Sequence, residues 1–433
     1  MQTKIAVIGG SGTSTPRFVE TVQRALSRSD RDSGDTGGVR VVLIGRHRDK
    51  LASVARICQK LAPAVNVTWD DTLERGVEGA TVILNQIRVG GLEGRAWDEQ
   101  APTSIGLIGE ETMGAGGFAL GYRTLPVIRS LARVIEQHAP DAWLVNLSNP
   151  AGLVVATLAA ETRLRALSVC DIPVTLERTL RTVAGSNNTR LQEIRVFGTN
   201  HVSAVISARD VAGHEVLPTL LPLVAASSRG QPFDATTLTA FGFLPSPYLR
   251  FIVYPEAYAP TAPLRHTRAD DLLVLRDELD ATYASGEVDH ANALLSARNP
   301  HWYEEVVVPV IASLLCWGAG DTTPGTAAAG AKRRFVVQIP NRGQVPFLGE
   351  HAAIETSVSI SDGTIAPLDL PVIPPEIKRL TVQLAEAEEL VRLATCENSA
   401  DLAIRALALN PLVPSLTKAR EFWRLFSAKW LDR

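Results

Sequence analysis

Two glycines separated by one residue, Gly10 and Gly12, stand between a short branched run, Lys4–Ile8, and a stretch in which Phe18, Val19, Val22 and Leu26 recur at helical spacing. A diphosphate needs such a turn, with no side chain in its way and free backbone N–H groups at the helix start that follows. Thr13 and Ser14 belong to the same turn, and Thr15 occupies the third fingerprint position, where glycine is usual. A dinucleotide site and a ligand-free structural turn are both compatible with that pattern. The next strand ends at Gly45-Arg46-His47-Arg48, without an acidic residue to accept hydrogen bonds from an adenine ribose. A guanidinium there suits a 2′-phosphate, so Arg46 and Arg48 read either as selectors of NADP over NAD or as solvated surface charges. Farther on, Cys170 and His201 each lie just past a predicted strand, Leu167-Ser168-Val169 and Arg195-Val196-Phe197. A thiolate and an imidazole at strand ends could share a divalent ion completed by substrate or water oxygens. A buried thiol and a hydrogen-bonded imidazole fit the same spacing.

These side chains require a scaffold of alternating strands and helices. Apolar runs at 39–44, 81–84 and 142–147 continue the pattern begun at Lys4–Ile8, and residues 49–61 form a helix with Leu51, Val54, Ala55 and Cys58 inward. The expected fold is α/β, a Rossmann-type doubly wound parallel sheet with a second mixed α+β domain. In such sheets ligands lie beyond the carboxyl ends of the strands, which puts Asn85, Asn146 and Asn149 on the cleft rim. Residues 27–38, rich in Ser, Asp, Arg and Gly, read as a solvent loop, and 317–331 as a flexible Gly, Ala and Thr segment. The pattern loosens after about residue 205, so the domains are expected at 1–200, binding NAD(P), and 201–433, carrying catalysis and subunit contacts. Residues 376–393 and 400–409 are helical by spacing, and their apolar stripes could pair across subunits or pack within the chain.

Composition excludes several classes. A chain of 433 residues with 45% hydrophobic residues can bury a large core, and a net charge of -3 provides no basic excess to hold a nucleic acid. Cys58, Cys170, Cys316 and Cys396 are too widely spaced for a zinc ribbon or a disulfide-stapled domain, so reduced thiols are expected. The N-terminus runs straight into a buried strand instead of a signal peptide, and the apolar stretch at 307–315 is too short to span a bilayer. The expectation is a cytoplasmic protein with no membrane or nucleic-acid partner.

The order of further motifs resembles glycoside hydrolase family 4. The matching stretches are Asn85-Gln86-Ile87-Arg88-Val89-Gly90-Gly91-Leu92-Glu93-Gly94-Arg95, Gly109-Glu110-Glu111-Thr112, Gly114-Ala115-Gly116-Gly117-Phe118, Asn146-Leu147-Ser148-Asn149-Pro150, Cys170-Asp171-Ile172-Pro173, Asn200-His201, Pro245-Ser246-Pro247-Tyr248-Leu249-Arg250 and Asn410-Pro411-Leu412-Val413-Pro414. The resemblance implies a glycosidase that uses NAD and a divalent metal, typically manganese, in place of the usual pair of carboxylates. Sugar C3 is oxidised transiently, the C2 proton is removed, the aglycone is eliminated, water adds and C3 is reduced again.

On this resemblance Cys170 and His201 are the metal ligands and Tyr303 the base. Asp171 matches a general acid, with a helix cap as the plainer role, and Gly10, Gly12, Thr13, Ser14, Arg46 and Asn85 surround the cofactor. Arg95 and Asn149 match residues that hold a 6-phosphate and sugar hydroxyls, and Glu111 orients a hydroxyl or the metal network. The implied substrate is a small phosphoglycoside, most closely a 6-phospho-β-glucoside, and the implied assembly a homodimer or homotetramer. Asp171 itself resembles the phospho-α-glucosidase arrangement. A plain NAD(P)-dependent sugar or hydroxy-acid dehydrogenase and a weakened sensor are the competing readings. Three places depart from the family pattern: Asn299-Pro300-His301-Trp302 where two glycines are usual, Val202-Ser203-Ala204-Val205 after His201, and Arg342 in the loop from Pro340 to Gly343.

Overall fold

The run Lys4–Ile8, apolar from Ile5 onward, makes the central strand of a computed structural model that describes residues 3–33, 38–227, 232–317 and 333–432, with side chains omitted for 28–33. This strand, β1, pairs in parallel with β2 (Arg40–Ile44) on one side and β4 (Val82–Asn85) on the other. With β3 (Asn66–Asp70), β5 (Trp143–Asn146) and β6 (Arg165–Ser168), the parallel order is β3-β2-β1-β4-β5-β6, that of a dinucleotide-binding sheet. Both faces are covered by helices, so β1, β2 and β4 are buried almost throughout.

The mixed second half does not form a sheet of its own. β10 (Arg333–Pro340) joins the edge of β6 in antiparallel fashion through the register pair Gln338↔Ser168, and the sheet continues through β11 (Ala353–Ser361), β7 (Leu191–Thr199), β8 (Val202–Asp210) and β9 (Leu244–Pro245), with β12 (Thr364–Pro367) on β11. Residues 200 and 201, where the two domains were expected to meet, form the tight connection between β7 and β8.

Two expectations change with the structure, or fall outside it. The first helix runs Thr15–Ser33, so the solvent loop expected from residue 27 begins later than its polar composition suggested. Most of the segment at 317–331 lies outside the described residues. The helices Pro375–Glu397 and Ala400–Leu409 bury Ile377, Leu384, Val391, Ala403 and Leu407 within the chain, and a third helix, Leu416–Trp430, adds Phe422 and Phe426 against Trp97, Phe118 and Tyr122. The apolar stripes are thus covered without a second subunit. All four cysteines are free, and among the described residues no helix is long and apolar enough to cross a membrane.

Candidate active site

The turn after β1 is built on close backbone approach. Gly9 takes φ +83°, and the N–H groups of Gly9 and Gly10 both donate to the Ile44 carbonyl, at 3.0 and 2.8 Å. A Cβ on Gly10 would stand 2.7 Å from Leu43 Cβ and 2.8 Å from Ile44 N, so only glycine lets β1 leave the sheet beside β2. Gly12 N–H donates to the Gly9 carbonyl, and Thr13 and Ser14 remain partly exposed at the start of the helix. Thr15, in the place of the third glycine, is fully buried and accepts a 2.9 Å hydrogen bond from the Gln86 amide. Past β2, Arg48 pairs with Asp71 at 2.7 Å and lies over the Trp69 ring, whereas Arg46 is exposed.

The carboxyl ends of β4, β5 and β6 carry a row of polar side chains. Asn85 Nδ2 donates to Asn146 Oδ1 at 2.8 Å, and Asn146 Nδ2 donates to Ser168 Oγ at 2.8 Å. Asn85 Oδ1 is buried without a partner in the chain, an acceptor at the cleft floor. Asn149 is half-buried in the turn that leads into the helix Ala151–Glu161.

Cys170 and His201 come together, although β10 and β11 lie between β6 and β7 in the sheet: Sγ is 3.7 Å from His201 Nδ1. That span suits two donors on one ion with bonds of about 2.0–2.3 Å. Burial pulls His201 down to about 4, with partial relief from Asp171 and Glu111, so its ring is the neutral imidazole that a metal requires. Its Nε2 is buried with no partner in the chain. Burial, then the Glu355 and Asp171 carboxylates, push the Cys170 thiol well above its usual range, so a thiolate at this position calls for a cation. The neutral ring and the crowded thiol fit a divalent metal between Sγ and Nδ1. Among the described residues no group of three or more His, Cys, Asp and Glu gathers as a complete cage, which leaves coordination to be finished by substrate or water.

Asp171 is not the helix cap that its position suggested. Cys170 is the N-cap of the helix Asp171–Ser186, its Sγ accepting from Ile172 N–H at 3.4 Å, and Asp171 is the first helical residue. One carboxylate oxygen of Asp171 lies 3.3 Å from His301 Nε2.

Arg95 is held between two carboxylates, Glu99 at 2.7 Å and Glu111 at 3.0 Å, and Glu111 also pairs with Arg88. A phosphate at Arg95 would therefore have to share or displace these partners. Arg298 is different: it stacks over Trp302 and has no ion-pair partner among the described residues, and burial, Arg268 and Arg95 lower its pKa. Next to Glu111, Glu110 is pushed up to about 7 by burial and by the Glu111 charge, while it accepts from the N–H groups of Thr112 and Met113.

Tyr303 is tied to Gln86, just past β4. Its hydroxyl donates to Gln86 Oε1 at 2.8 Å, and its ring packs on Phe18 and Trp302. The tyrosine beside the pair is Tyr248, stacked on His201 at 4.6 Å between ring centroids and raised by burial, then by Glu110, Cys170 and Glu111. Sequence reasoning passed over it as a base although it stands in Pro245-Ser246-Pro247-Tyr248-Leu249-Arg250, because its proximity to His201 depends on the antiparallel pairing of β8 with β9.

Known proteins share this architecture. Residues 4–186 match the model of the Family 4 glycosyl hydrolase and residues 196–413 that of the Family 4 glycosyl hydrolase C-terminal domain. The chain is 25% identical to the Maltose-6'-phosphate glucosidase of Bacillus subtilis (strain 168), across 96% of this chain and 93% of that protein. It is 26% identical to the 6-phospho-beta-glucosidase of Escherichia coli (strain K12), across 99% and 96%. The structure of the 6-phospho-beta glucosidase from Thermotoga maritima with manganese, NAD+ and glucose-6-phosphate superposes with a TM-score of 0.82 at 22% identity, covering 99% of this chain and 98% of that one. With both halves matched in order over a sheet of this topology, the chain belongs to the family 4 glycosyl hydrolases.

Proposed function

We propose that this family 4 glycosyl hydrolase uses NAD and a divalent metal, manganese being the first candidate, to cleave 6-phospho-β-glucosides by oxidation, elimination, hydration and re-reduction. The observation that carries the reading is the Cys170–His201 pair, a crowded thiol 3.7 Å from Nδ1 of a neutral imidazole, in a sheet whose first turn suits a dinucleotide. When bound, the nicotinamide would take a hydride from C3 and return it, while the metal would polarise the C3 oxygen.

The chain's own residues supply the rest. Residues 1–200 hold the dinucleotide, with Gly10, Gly12, Thr13 and Ser14 around its diphosphate and Asn85 Oδ1 as an acceptor on the cleft floor. Arg46, exposed at the end of β2, is the contact for a 2′-phosphate if NADP is used. Residues 201–433 include Tyr248 beside His201, whose phenol would take the C2 proton once a bound cation offsets the burial and negative neighbours that raise it; Tyr303, the other candidate base, sits one residue contact away from the cofactor turn. Asp171 faces the leaving group as acid, Asn149 and Glu111 orient sugar hydroxyls, and Arg95, with Arg298 near it, meets the 6-phosphate.

A second reading, a phospho-α-glucosidase, is favoured by the Asp that follows Cys170. Nitrophenyl α- and β-glucosides, each with and without a 6-phosphate, supplied with NAD, manganese and reductant, decide between them. Nitrophenol release from the β-6-phosphate without build-up of reduced cofactor is the expected result. Preference for the α-anomer selects the second reading, and stoichiometric growth of reduced cofactor would show a dehydrogenase instead.

A further inference from the structure

The stretch Asn299-Pro300-His301-Trp302 brings an imidazole to Asp171. Asn299 ends the helix Val288–Arg298 in the left-handed region, φ 48°, and the chain turns back through Pro300 toward Cys170. His301 is oriented on two sides. Its Nδ1 lies 3.2 Å from the Asn299 carbonyl oxygen, which can only accept, so that nitrogen carries the proton, and its ring meets Trp302 edge-on at 5.9 Å. The fixed ring presents Nε2 to Asp171 Oδ2 at 3.3 Å, and both side chains keep about one third of their surface open, at 32% and 34%.

Asp171 has little else to hold it. Its other oxygen accepts only the weak hydrogen bond of the Cys170 thiol, at 3.8 Å. A carboxylate at the first position of a helix is free to choose among rotamers unless a neighbour selects one. We infer that His301 is a positioning residue, which selects the Asp171 rotamer that faces the departing aglycone and so sets how poor a leaving group the enzyme can expel. The inference rests on the reading of Asp171 as general acid. It concerns the class of aglycone: with His301 in place, alkyl and sugar leaving groups, which need a proton as they depart, are cleaved along with activated phenols.

The test compares D171N, H301A and H301Q on methyl and 4-nitrophenyl glycosides of the preferred anomer, with melting temperatures measured in parallel. Glutamine is chosen because its amide oxygen can take the place of Nε2 as an acceptor from the Asp171 carboxylic acid. H301A is expected to lose about tenfold or more in kcat on the methyl glycoside and under about threefold on the nitrophenyl glycoside, with KM little changed. H301Q recovers most of the loss, and D171N shows the same leaving-group pattern more strongly. A crystal structure of H301A should show the Asp171 carboxyl turned away from its present place. Equal losses on both substrates, no rescue by H301Q, or an unmoved Asp171 in H301A would overturn the role of His301 while D171N still upholds the acid. If D171N shows no leaving-group dependence, the acid reading fails and the inference with it.

Discussion

The hydroxyl of Tyr303 donates to Oε1 of Gln86, and the amide nitrogen of the same Gln86 donates to Thr15 and to the Gly9 carbonyl, at 2.9 and 3.2 Å. A phenol engaged in this way braces the dinucleotide turn from below. Tyr248, stacked on His201, stands instead where sugar chemistry would take place. The two tyrosines should separate in kinetics. Y248F is expected to lower kcat by about a hundredfold or more, as loss of a base does. Y303F should remove one hydrogen bond of about 1 kcal/mol, seen mainly as about fivefold weaker cofactor binding. Steady-state rates and cofactor titration of both variants check the assignment, and the reverse order would return the base to Tyr303.

Gly10 offers a structural test. Its added Cβ would meet backbone and Cβ atoms of Leu43 and Ile44 at 2.7–2.8 Å, none of them able to swing aside. G10A should therefore lose about 1–3 kcal/mol of stability and bind cofactor more weakly. Denaturant unfolding and a dinucleotide titration read both effects.

The proposed metal role of Cys170 and His201 predicts how binding and modification compete. Replacing Cys170 by Ser or His201 by Ala should weaken manganese binding by about a hundredfold or more in electron paramagnetic resonance titrations, with the melting temperature of the metal-free protein nearly unchanged. Alkylation of Cys170 in the apoprotein should be slow at neutral pH, because burial and the two nearby carboxylates keep its thiol protonated, and bound metal should slow it further.

Glu388 gives a pH dependence with a definite sign. It lies in the helix Pro375–Glu397 against Asn200, beside His201, and burial pushes it up to about 8 from 4.5, against the opposing hydrogen bond of Asn200. The folded state therefore keeps a proton that the unfolded chain gives up above 4.5. The stability this provides is present below that value and is lost as pH rises toward about 8. Glu388→Gln, neutral at every pH, should melt higher than the parent at pH 8, by the equivalent of about 1–3 kcal/mol, and the gap should close at pH 5. Thermal melts from pH 5 to 9 measure it.

How far the sequence revealed this molecule follows from particular residues. β1, β2 and β4 are buried and branched, and their pattern survives in any local window. β3 escaped notice because Asn66-Val67-Thr68-Trp69-Asp70 lies at the sheet edge with no fully buried residue to mark a period. The tail of the first helix was read as loop since its polar composition gives no apolar face. Cys170 and His201 were legible as a pair from their strand ends. The Arg95–Glu99 pair was open to a local reading, since the two stand four apart on one helix, but that Tyr248 accompanies the Cys170–His201 pair and that His301 reaches Asp171 depend on contacts between segments far apart in sequence, which no local spacing encodes.

The junction of β6 with β10 rests on the single register pair Gln338↔Ser168, and the sulfur and imidazole above it belong to opposite flanks of that junction. Any slide of one flank past the other is felt first as a change in the gap between those two atoms. An ion gripping both would rivet the flanks, so mechanical stiffness and readiness for chemistry would be gained, and given up, in the same event.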